Sequence, residues 1–288
     1  MTSAPPLPPA HAWRPLVALA LAEDLGPGDV TTPLVIGEGR DGEAVVEARE
    51  PLVVCGIAIA AAVFEEVDAS LTVAATACDG ERVGSGAPLL RVYGSLRSLL
   101  AAERTALNFL GHLCGIATFT RRFADALAPT GCTLVDTRKT LPGHRGLEKY
   151  ATRVGGARNH RMGLFDGVLL KDNHLAAAGG VGAAVKAALA AAPAGLCVQV
   201  EVESEADAVA AVEAGARFLL LDNRSQDELR AIVARVGDRA LLEASGGVTL
   251  DNVRAIAATG VHRVSVGALT HSAPAADVAL EIVGGAAP

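Results

Sequence analysis

The side chains best suited to chemistry are concentrated in residues 136–174, a stretch that differs from the Ala-, Val-, Leu- and Gly-rich chain around it. The whole protein carries a formal net charge of −7, so the excess of cations in this stretch is a local property. A dense group of fixed donors in an acidic protein indicates a pocket for a small, highly anionic ligand. The basic and imidazole side chains are Arg138, Lys139, His144, Arg145, Lys149, Arg153, Arg158, His160, Arg161, Lys171 and His174.

Some of these cations stand directly after short apolar runs. Arg138 and Lys139 follow the run 132–135, and Lys171 follows the run 167–170. Charges that come straight after short buried strands lie at strand ends, which indicates a binding site. The alternative reading is a basic face exposed to solvent.

Hydrophobic patterning divides the chain into two parts. Before about residue 123, short β-like runs separated by glycines alternate with helical patterns, which predicts an α+β segment built on antiparallel strands. From residue 131 on, short apolar runs alternate with Ala-rich amphipathic helices, which predicts parallel strands with right-handed crossovers. No GxGxxG motif opens the first helix of this part, so a β/α barrel short of eight strands fits better than a dinucleotide-binding fold. Helices are predicted at 13–24, 56–66, 95–123, 146–152, 179–191, 204–214, 225–236 and 249–259, and strands at 42–48, 52–55, 71–75, 88–93, 133–136, 167–171, 197–202, 218–221, 241–244 and 263–266.

Composition narrows the class of protein. A chain of 288 residues that is 51% hydrophobic can bury one large core or two ordinary ones. Its pI of about 5.5 argues against non-specific nucleic-acid binding. The five cysteines are scattered without CxxC spacing, so we expect buried free thiols in a reducing cytosol, without disulfides or a zinc site.

The termini and apolar runs predict a cytoplasmic protein with no membrane partner. Residues 1–15 are Pro-rich and lack the basic start and apolar core of a signal peptide. The longest apolar run without charge, residues 52–64, is too short to span a bilayer.

Polar groups follow each of the predicted barrel strands, at the ends where such barrels bind ligands. Cations come first in the chain, carboxylates end the third and fourth strands, and glycine loops end the last two. The groups occupy residues 136–139, 171–174, 201–203, 222–223, 245–247 and 267–268.

The glycine loop Ser245, Gly246 and Gly247 is the candidate phosphate site. Glycines let backbone N–H groups approach an anion, and a helix that starts at Thr249 would add a favourable dipole. A plain turn between strand and helix is the alternative.

Two carboxylates, Glu201 and Asp222, are expected in the same cation-rich pocket. They suit ribose hydroxyls or Mg²⁺, an oxygen-binding ion that proteins usually share with phosphates. The alternative is that they only neutralise Lys171 and Lys139, and both roles are compatible.

The cations allow several kinds of chemistry. Arg138 and Arg161 suit bidentate pairing with carboxylates, and His160 is either a third donor or a structural residue. Lys171 is either a phosphate ligand or a Schiff-base nucleophile. His144 and His174 are not spaced with carboxylates as a zinc triad.

Seven stretches of this sequence together resemble the quinolinate phosphoribosyltransferase family. They extend from about residue 20 to residue 272, and the long central motif is highly specific. The stretches are EDLGPGDVTT (23–32), ERTALNFLGHLCGIAT (103–118), DTRKTLPGHRGLEKYATRVGGARNHRMGLFDGVLLKDNH (136–174), VEVES (200–204), LLLDN (219–223), EASGGVTLDN (243–252) and VSVGALTHS (264–272).

The resemblance implies a two-domain α/β fold and a homodimer or higher oligomer. An N-terminal α/β sandwich domain would precede an open, incomplete β/α (TIM-like) barrel, and one subunit's N-terminal domain would cover its partner's barrel mouth. We expect a disordered tail at 1–12, the sandwich domain at 13–115 joined by 271–288, and the catalytic barrel at 116–270.

The resemblance also implies an activity. In that reaction, quinolinate and phosphoribosyl pyrophosphate give nicotinate mononucleotide, pyrophosphate and CO₂ with Mg²⁺, as a step of de novo NAD synthesis.

Family roles are carried over here only to matching positions. Arg138, His160 and Arg161 are similar to the quinolinate carboxylate clamp, with Thr137 beside them. Arg104 resembles a residue contributed across the dimer. The remaining matches are Lys139 and Lys171 between the two substrates, Glu201 and Asp222 for ribose and Mg²⁺–pyrophosphate, and Ser245, Gly246, Gly247, Val266, Gly267 and Ala268 for phosphate.

Three departures and three alternatives accompany this reading. Gly111, Cys114 and His262 differ from residues common in the family, but they lie outside the clamp.

The alternatives are a related phosphoribosyltransferase for another pyridine or pyrrole carboxylate, a Schiff-base aldolase that uses Lys171, and a non-catalytic anion-binding protein.

Overall fold

The computed structural model describes residues 4–285, which divide into two compact units. The first unit contains residues up to 121, residues 140–156 and residues from 272 on, and the second contains 122–139 and 157–271. The strands are β1 Asp41–Ala48, β2 Leu52–Val53, β3 Thr72–Ala75, β4 Arg82–Val83, β5 Pro88–Ser95, β6 Thr133–Val135, β7 Val168–Leu170, β8 Val198–Val202, β9 Phe218–Asp222, β10 Leu241–Ser245, β11 Arg263–Ser265 and β12 Val278–Gly285. The α-helices are α1 Arg14–Leu25, α2 Thr32–Val35, α3 Ile57–Val67, α4 Leu96–Leu127, α5 Arg145–Gly155, α6 Asp172–Ala177, α7 Val181–Ala191, α8 Glu205–Glu213, α9 Gln226–Val236, α10 Val253–Ala257 and α11 Ala268–His271.

The first unit is built on an antiparallel sheet with the strand order β12-β1-β5-β3. β1 lies inside this sheet, and Ala44, Val46 and Ala48 on it are buried in the core. β12 pairs antiparallel with β1, with Val46 opposite Leu280, so the end of the chain completes this sheet. The sequence patterns did not predict β12, because we read the tail only as a return to the first domain.

Helix α3 is fixed at its start by a carboxylate from a distant turn. Asp79 accepts the backbone N–H groups of Gly56 at 2.9 Å and Ile57 at 3.1 Å, which satisfies donors that a helix start leaves unpaired. Asp79 also accepts the hydroxyl of Tyr150 at 2.6 Å. Gly56 has a φ of +97°, and an added Cβ there would lie 2.7 Å from Leu113 Cδ1, so this turn requires glycine.

Two family departures have a packing reason in the first unit. A Cβ at Gly111 would lie 2.9 Å from the carbonyl oxygen of Ala276. The buried Cys114 accepts the backbone N–H of Cys55 at its Sγ, 3.2 Å away. Both positions therefore serve the core.

Helix α5 belongs to the first unit, although the sequence analysis placed residues 140–156 in the barrel domain. A Cβ at Gly155 would lie 2.5 Å from Thr120 Cβ on α4, so the two helices pack closely there. His112 on α4 and the fully buried Glu148 on α5 are joined at 3.0 Å. The predicted boundary at 115/116 falls inside α4, whereas packing divides the chain between residues 121 and 122.

The second unit is an open parallel sheet of six strands in the order β6-β11-β10-β9-β8-β7, joined by helices. The mixed α/β fold class with an open, barrel-like parallel sheet is confirmed, and all the predicted strands of this part are present. Predicted helix 249–259 was wrong at its start: Asn252 Oδ1 accepts the N–H of Thr249 and closes a turn, so α10 begins only at Val253. Helix α6 was missed, because residues 171–174 were read only as a polar strand end.

Residues 1–3 of the predicted disordered tail lie outside the described residues. Further along the tail, Ala10–Ala12 form a 3-10 helix, and the buried Trp13 donates its indole N–H to Pro8 at 3.0 Å. The tail is therefore anchored at its end by an aromatic side chain.

All five cysteines are free, as predicted, but the expectation that all are buried was wrong. Cys78 and Cys197 are exposed in connections between elements, and Cys132 is half-buried. Within residues 4–285, the helices are all too short or too polar to cross a membrane.

Candidate active site at the ends of the parallel strands

The carboxyl ends of the six parallel strands surround one cavity of about 610 Å³ in the second unit. Every site residue predicted from the sequence in this unit lines it. These residues are Thr137, Arg138, Lys139, His160, Arg161, Lys171, Glu201, Asp222, Ser245, Gly246, Gly247, Val266, Gly267 and Ala268. Arg104, the remaining predicted site residue, is an exposed residue of α4 in the first unit.

The turn after β6 fixes the backbone of Lys139. Thr137 Oγ1 accepts the N–H of Lys139 at 3.1 Å, and Thr270 Oγ1 donates to its carbonyl at 2.6 Å. A Cβ at Gly267 would lie 2.9 Å from Lys139 Cδ, so glycine gives the lysine side chain its space. His271, which the sequence analysis missed, also lines this part of the cavity.

Asp136 brings the segment 158–161 to the end of β6. Its buried carboxylate accepts the N–H of His160 at 2.7 Å and the amide of Asn159 at 2.6 Å. The sequence analysis assigned Asp136 no role, because a sequence does not distinguish a strand-end carboxylate that binds a ligand from one that positions its neighbours. Its function here is to position neighbouring residues.

Both ring nitrogens of His160 are engaged within the protein. Nδ1 accepts the N–H of Arg161 at 2.8 Å, and Nε2 lies 2.8 Å from Gln199 Oε1. An acceptor at Nδ1 and a donor at Nε2 describe a neutral imidazole. His160 lines the cavity, but its hydrogen bonds favour the structural reading that the sequence left open.

Arg138 and Arg161 bring two guanidinium groups to one side of the cavity. Arg161 donates to the carbonyl of Gly167 at 3.1 Å. Burial and the neighbouring Arg138 charge lower the pKa of Arg161, although an arginine keeps its proton. Within the described residues, Arg138 Nε is buried without a hydrogen-bond partner. Two adjacent cations with an unpaired donor fit a bound carboxylate.

Lys171 pairs with Glu201 at the adjoining ends of β7 and β8. Their Nζ and Oε2 atoms lie 3.0 Å apart, and the Lys171 side chain is 49% exposed. An exposed, ion-paired ammonium differs from the desolvated free amine that forms a Schiff base. The pair supports both the neutralising role of Glu201 and an anion-binding role of Lys171.

Asp222 at the end of β9 is oriented by its neighbour. Asn223 donates its side-chain amide to Asp222 Oδ2 at 2.8 Å. Asn223 has a φ of +54°, and it is the single non-glycine residue with a left-handed backbone among residues 4–285. Asparagine tolerates this conformation because its short polar side chain can bond locally. The sequence analysis did not single out Asn223.

The glycine loop after β10 lies against Asn223. Gly246 has a φ of +89°, and an added Cβ there would lie 2.1 Å from Asn223 Oδ1. Asn252 donates to the carbonyl of Gly247 at 2.9 Å and closes the loop. Helix α10 begins only at Val253, so its start does not lie at Thr249 as predicted, and the loop offers an anion its backbone N–H groups.

Glu243 is a buried carboxyl group on β10 that the sequence analysis missed. It is fully buried, and in the described part of the chain neither carboxyl oxygen has a hydrogen-bond partner. Burial raises its pKa, and the neighbouring polar and charged groups oppose that shift only in part. A lone acidic residue in the apolar strand 241–244 was the signal that could have found it.

Sequence comparison relates both parts of the chain to one family. Residues 29–114 match the profile of the quinolinate phosphoribosyl transferase N-terminal domain, and residues 116–281 match that of the C-terminal domain. The chain is 45% identical over 279 residues to a nicotinate-nucleotide pyrophosphorylase [carboxylating] of Mycobacterium leprae, covering 94% of this chain and 97% of that protein. It is 39% identical over 297 residues to quinolinate phosphoribosyltransferase [decarboxylating] 1 of Nicotiana glauca, covering 96% and 84%.

Comparison of structures gives the same result. The chain is similar to the crystal structure of NadC from Streptococcus pyogenes, with a TM-score of 0.92 and 37% identity. The match covers 97% of this chain and all of that one.

Proposed function

We propose, on the premise that this chain belongs to the quinolinate phosphoribosyltransferase family, that it converts quinolinate and phosphoribosyl pyrophosphate to nicotinate mononucleotide, pyrophosphate and CO₂. It is a pentosyltransferase of NAD biosynthesis. The single observation in the structure that supports this activity best is the cavity itself. It is lined by cations, carboxylates and glycine loops from all six parallel strands or the segments that follow them.

The order of the strands separates the substrate-binding groups. Arg138 follows edge strand β6, and Lys171 follows the opposite edge strand β7. The glycine loops follow β11 and β10, on the side of the sheet near β6. The carboxylates Asp222 and Glu201 lie on β9 and β8, on the side near β7. A dianionic pyridine dicarboxylate would bind at Arg138 and Arg161, and the ribose 5-phosphate at the glycine loops.

Catalysis by these residues consists of positioning and electrostatic stabilisation. Pyrophosphate leaves C1 of the ribose through an oxocarbenium-like state, and the pyridine nitrogen attacks with its free lone pair. No general base is needed for that attack. The carboxylate then departs as CO₂, and the electron pair of the broken bond stays on the adjacent ring carbon, where the positive pyridinium nitrogen stabilises it. A proton from solvent completes the product at that carbon.

Lys139 and Lys171 would stabilise charge that develops between the two substrates. Lys139 has a fixed backbone, and Lys171 is oriented by Glu201 at 3.0 Å. Preorganised cations of this kind need little reorganisation during the reaction.

We propose Mg²⁺ as the cofactor. Among residues 4–285, no three or more His, Cys, Asp or Glu are grouped to hold a metal ion. Glu201 and Asp222 are oxygen donors that fit Mg²⁺ only as part of a set completed by phosphate oxygens and water. A bound Mg²⁺ would neutralise charge on the diphosphate.

We also propose a homodimer or larger oligomer and a cytoplasmic location. The exposed position of Arg104 on α4 supports a role toward a second copy of the chain. Free thiols at the exposed Cys78 and Cys197 support a reducing compartment.

Release of labelled CO₂ from carboxyl-labelled quinolinate tests the activity. We expect release only when phosphoribosyl pyrophosphate and Mg²⁺ are both present. Nicotinate in place of quinolinate is the matched substrate control, and we expect no product from it. Turnover of nicotinate, or no CO₂ from quinolinate under any condition, would contradict the proposal.

A carbon isotope effect on the departing carboxylate tests the order of steps. If phosphoribosyl transfer comes first, quinolinate alone should lose no carboxylate. A large isotope effect in the absence of phosphoribosyl pyrophosphate would contradict this order.

A further inference from the structure

Glu243 lies one layer deeper in the sheet than the residues that bind substrate. It and Ser245 are two residues apart on β10, so their side chains point to the same face of the sheet. Both residues line the cavity, but Glu243 is 0% exposed. A negative charge on Glu243 would therefore lie in the protein interior, directly beneath the residues proposed to bind the substrate.

The surroundings of Glu243 do not satisfy an ionised carboxylate. His160 Nε2 lies 3.7 Å from Glu243 Oε1, beyond hydrogen-bonding distance. Gln199 and Ser265 are near enough to Glu243 to oppose the rise in its pKa, but among the described residues neither makes a hydrogen bond of good geometry to its carboxyl oxygens, and the buried Nε2 of Gln199 has no partner. Ser265 Oγ lies 3.4 Å from the carbonyl of Ala244, in hydrogen-bonding geometry. A buried carboxylate without hydrogen bonds is costly, so the neutral acid is favoured here.

The titratable and charged groups that face Glu243 offset this cost only in part. They are His160 on the segment before β7, Arg263 on β11, and the thiols Cys132 and Cys197. The Arg263 guanidinium lies 4.9 Å from the ring centroid of Phe218, over its face. Partial desolvation raises the pKa of Cys132 to about 11 and also raises that of Cys197, which favours the neutral thiols. The hydrogen bonds of His160 describe a neutral ring, which would remove the largest opposing charge.

We propose that Glu243 is protonated whenever the dianionic pyridine substrate is bound, and that binding at alkaline pH draws one proton onto this residue. The inference rests on the proposed function, because it requires a ligand with two carboxylates. An ionised Glu243 would repel such a ligand from beneath, whereas the protonated acid does not. The ligand therefore binds preferentially to the protonated protein.

The direction of the pH dependence follows from this preference. At pH values below the pKa of Glu243 in the free protein, this group does not alter affinity. Above that pKa, affinity for the dianion falls as pH rises, with a limiting slope of about tenfold per pH unit for one linked proton.

Calorimetry with phthalate tests the inference, since phthalate has the two carboxylates of quinolinate but no ring nitrogen to react. Titrations in buffers of different ionisation enthalpy, from about pH 6.5 to about pH 9, span the range documented for buried glutamates and keep the ligand a dianion. We expect the wild-type protein to take up protons on binding and to lose affinity as pH rises. Glu243→Gln, a neutral variant of the same shape, should lose the proton uptake and bind more tightly than wild type at the highest pH.

Glu213→Gln is the matched control, because Glu213 is an exposed carboxylate on α8 in the same unit. It should keep the wild-type proton uptake and slope. A wild-type slope that persists in Glu243→Gln would overturn the inference and assign the titration to another group. Binding by the wild-type protein without proton uptake anywhere in the range would also overturn it, and this measurement does not depend on whether the variant folds. Absence of phthalate and quinolinate binding at every pH would instead contradict the proposed function.

Discussion

At the scale of single residues, the cations of the site differ in how far the protein itself satisfies their hydrogen bonds. Lys171 pairs with Glu201, and Arg161 donates to Gly167. Arg138 Nε is buried without any such partner in the described part of the chain. A buried unpaired donor costs free energy that a bound carboxylate would recover. The affinity for quinolinate should therefore depend strongly on Arg138.

Replacing Arg138 with alanine should weaken quinolinate binding by about 1.5–3 kcal/mol for each charged hydrogen bond lost, or roughly 10- to 150-fold. Arg138→Lys keeps the charge but loses the planar, bidentate geometry, so it should recover only part of the affinity. Equilibrium binding of quinolinate to both variants and the wild type measures the effect. Unchanged quinolinate affinity in Arg138→Ala would remove this residue from the clamp.

Most of the site residues that the sequence predicted lie at strand ends, whereas some of those that it missed lie inside strands. Lys139 and Asp222 were found because they follow or end apolar runs, which marks the carboxyl end of a strand. Glu243 and Gln199 lie inside strands and were read as strand positions alone. Their importance depends on burial and on partners from other strands, which a linear pattern does not contain.

At the scale of elements, turns closed by side chains decide where helices begin. Asp79 accepts two N–H groups at the start of α3, and Asn252 closes the turn before α10. The start of α3 was predicted within one residue because a helix after Gly56 was visible in the sequence. The start of α10 was not, because Asn252 competes locally with helix formation.

The loop after β10 should not tolerate a side chain at Gly246. Gly246→Ala would place a methyl group against Asn223 and force a strained φ, so the loop must move. We expect a loss of affinity for phosphoribosyl pyrophosphate of about tenfold or more, with quinolinate binding retained. Gly182→Ala on α7 is the control, because nothing lies within 4 Å of an added Cβ there. Equal losses for both substrates would indicate general disruption instead of a phosphate loop.

The cap on α3 should contribute to the stability of the first unit. Asp79→Ala removes two caps and the bond to Tyr150, so we expect the free energy of unfolding to fall by about 1–3 kcal/mol. Tyr150→Phe removes only the hydroxyl and should cost less. Denaturant unfolding of both variants measures the difference. A larger loss in Tyr150→Phe than in Asp79→Ala would show that the cap contributes little.

At the scale of the whole molecule, successive segments of the chain belong alternately to the two units. The sequence predicted both parts and their strand types, because hydrophobic periodicity is a local property. It did not predict that α5, between two barrel strands in the chain, packs with the first unit. That outcome depends on the close approach of Gly155 to Thr120, which are 35 positions apart in the printed sequence.

The proposed cross-subunit role of Arg104 predicts complementation between inactive variants. Arg104→Ala and Lys171→Ala should each be inactive alone. After mixing and subunit exchange, hybrid dimers would contain one intact site each, so activity should return to about a quarter of the wild-type value. Steady-state turnover of the mixture, compared with each variant treated alone, measures this. A mixture that exchanges subunits and stays inactive would contradict the shared site.

The pairing of β12 with β1 has a consequence for synthesis of the protein. A ribosome synthesises residues 41–48 more than 200 residues before their strand partners at 278–285. During translation, one hydrogen-bonding edge of β1 therefore lacks its final partner, and an exposed strand edge can pair with another chain. Closing so long a loop is also slow. Nascent chains should thus depend on chaperones until residues 278–285 have emerged, and a premature stop codon before residue 278 should yield aggregates in place of a shortened enzyme.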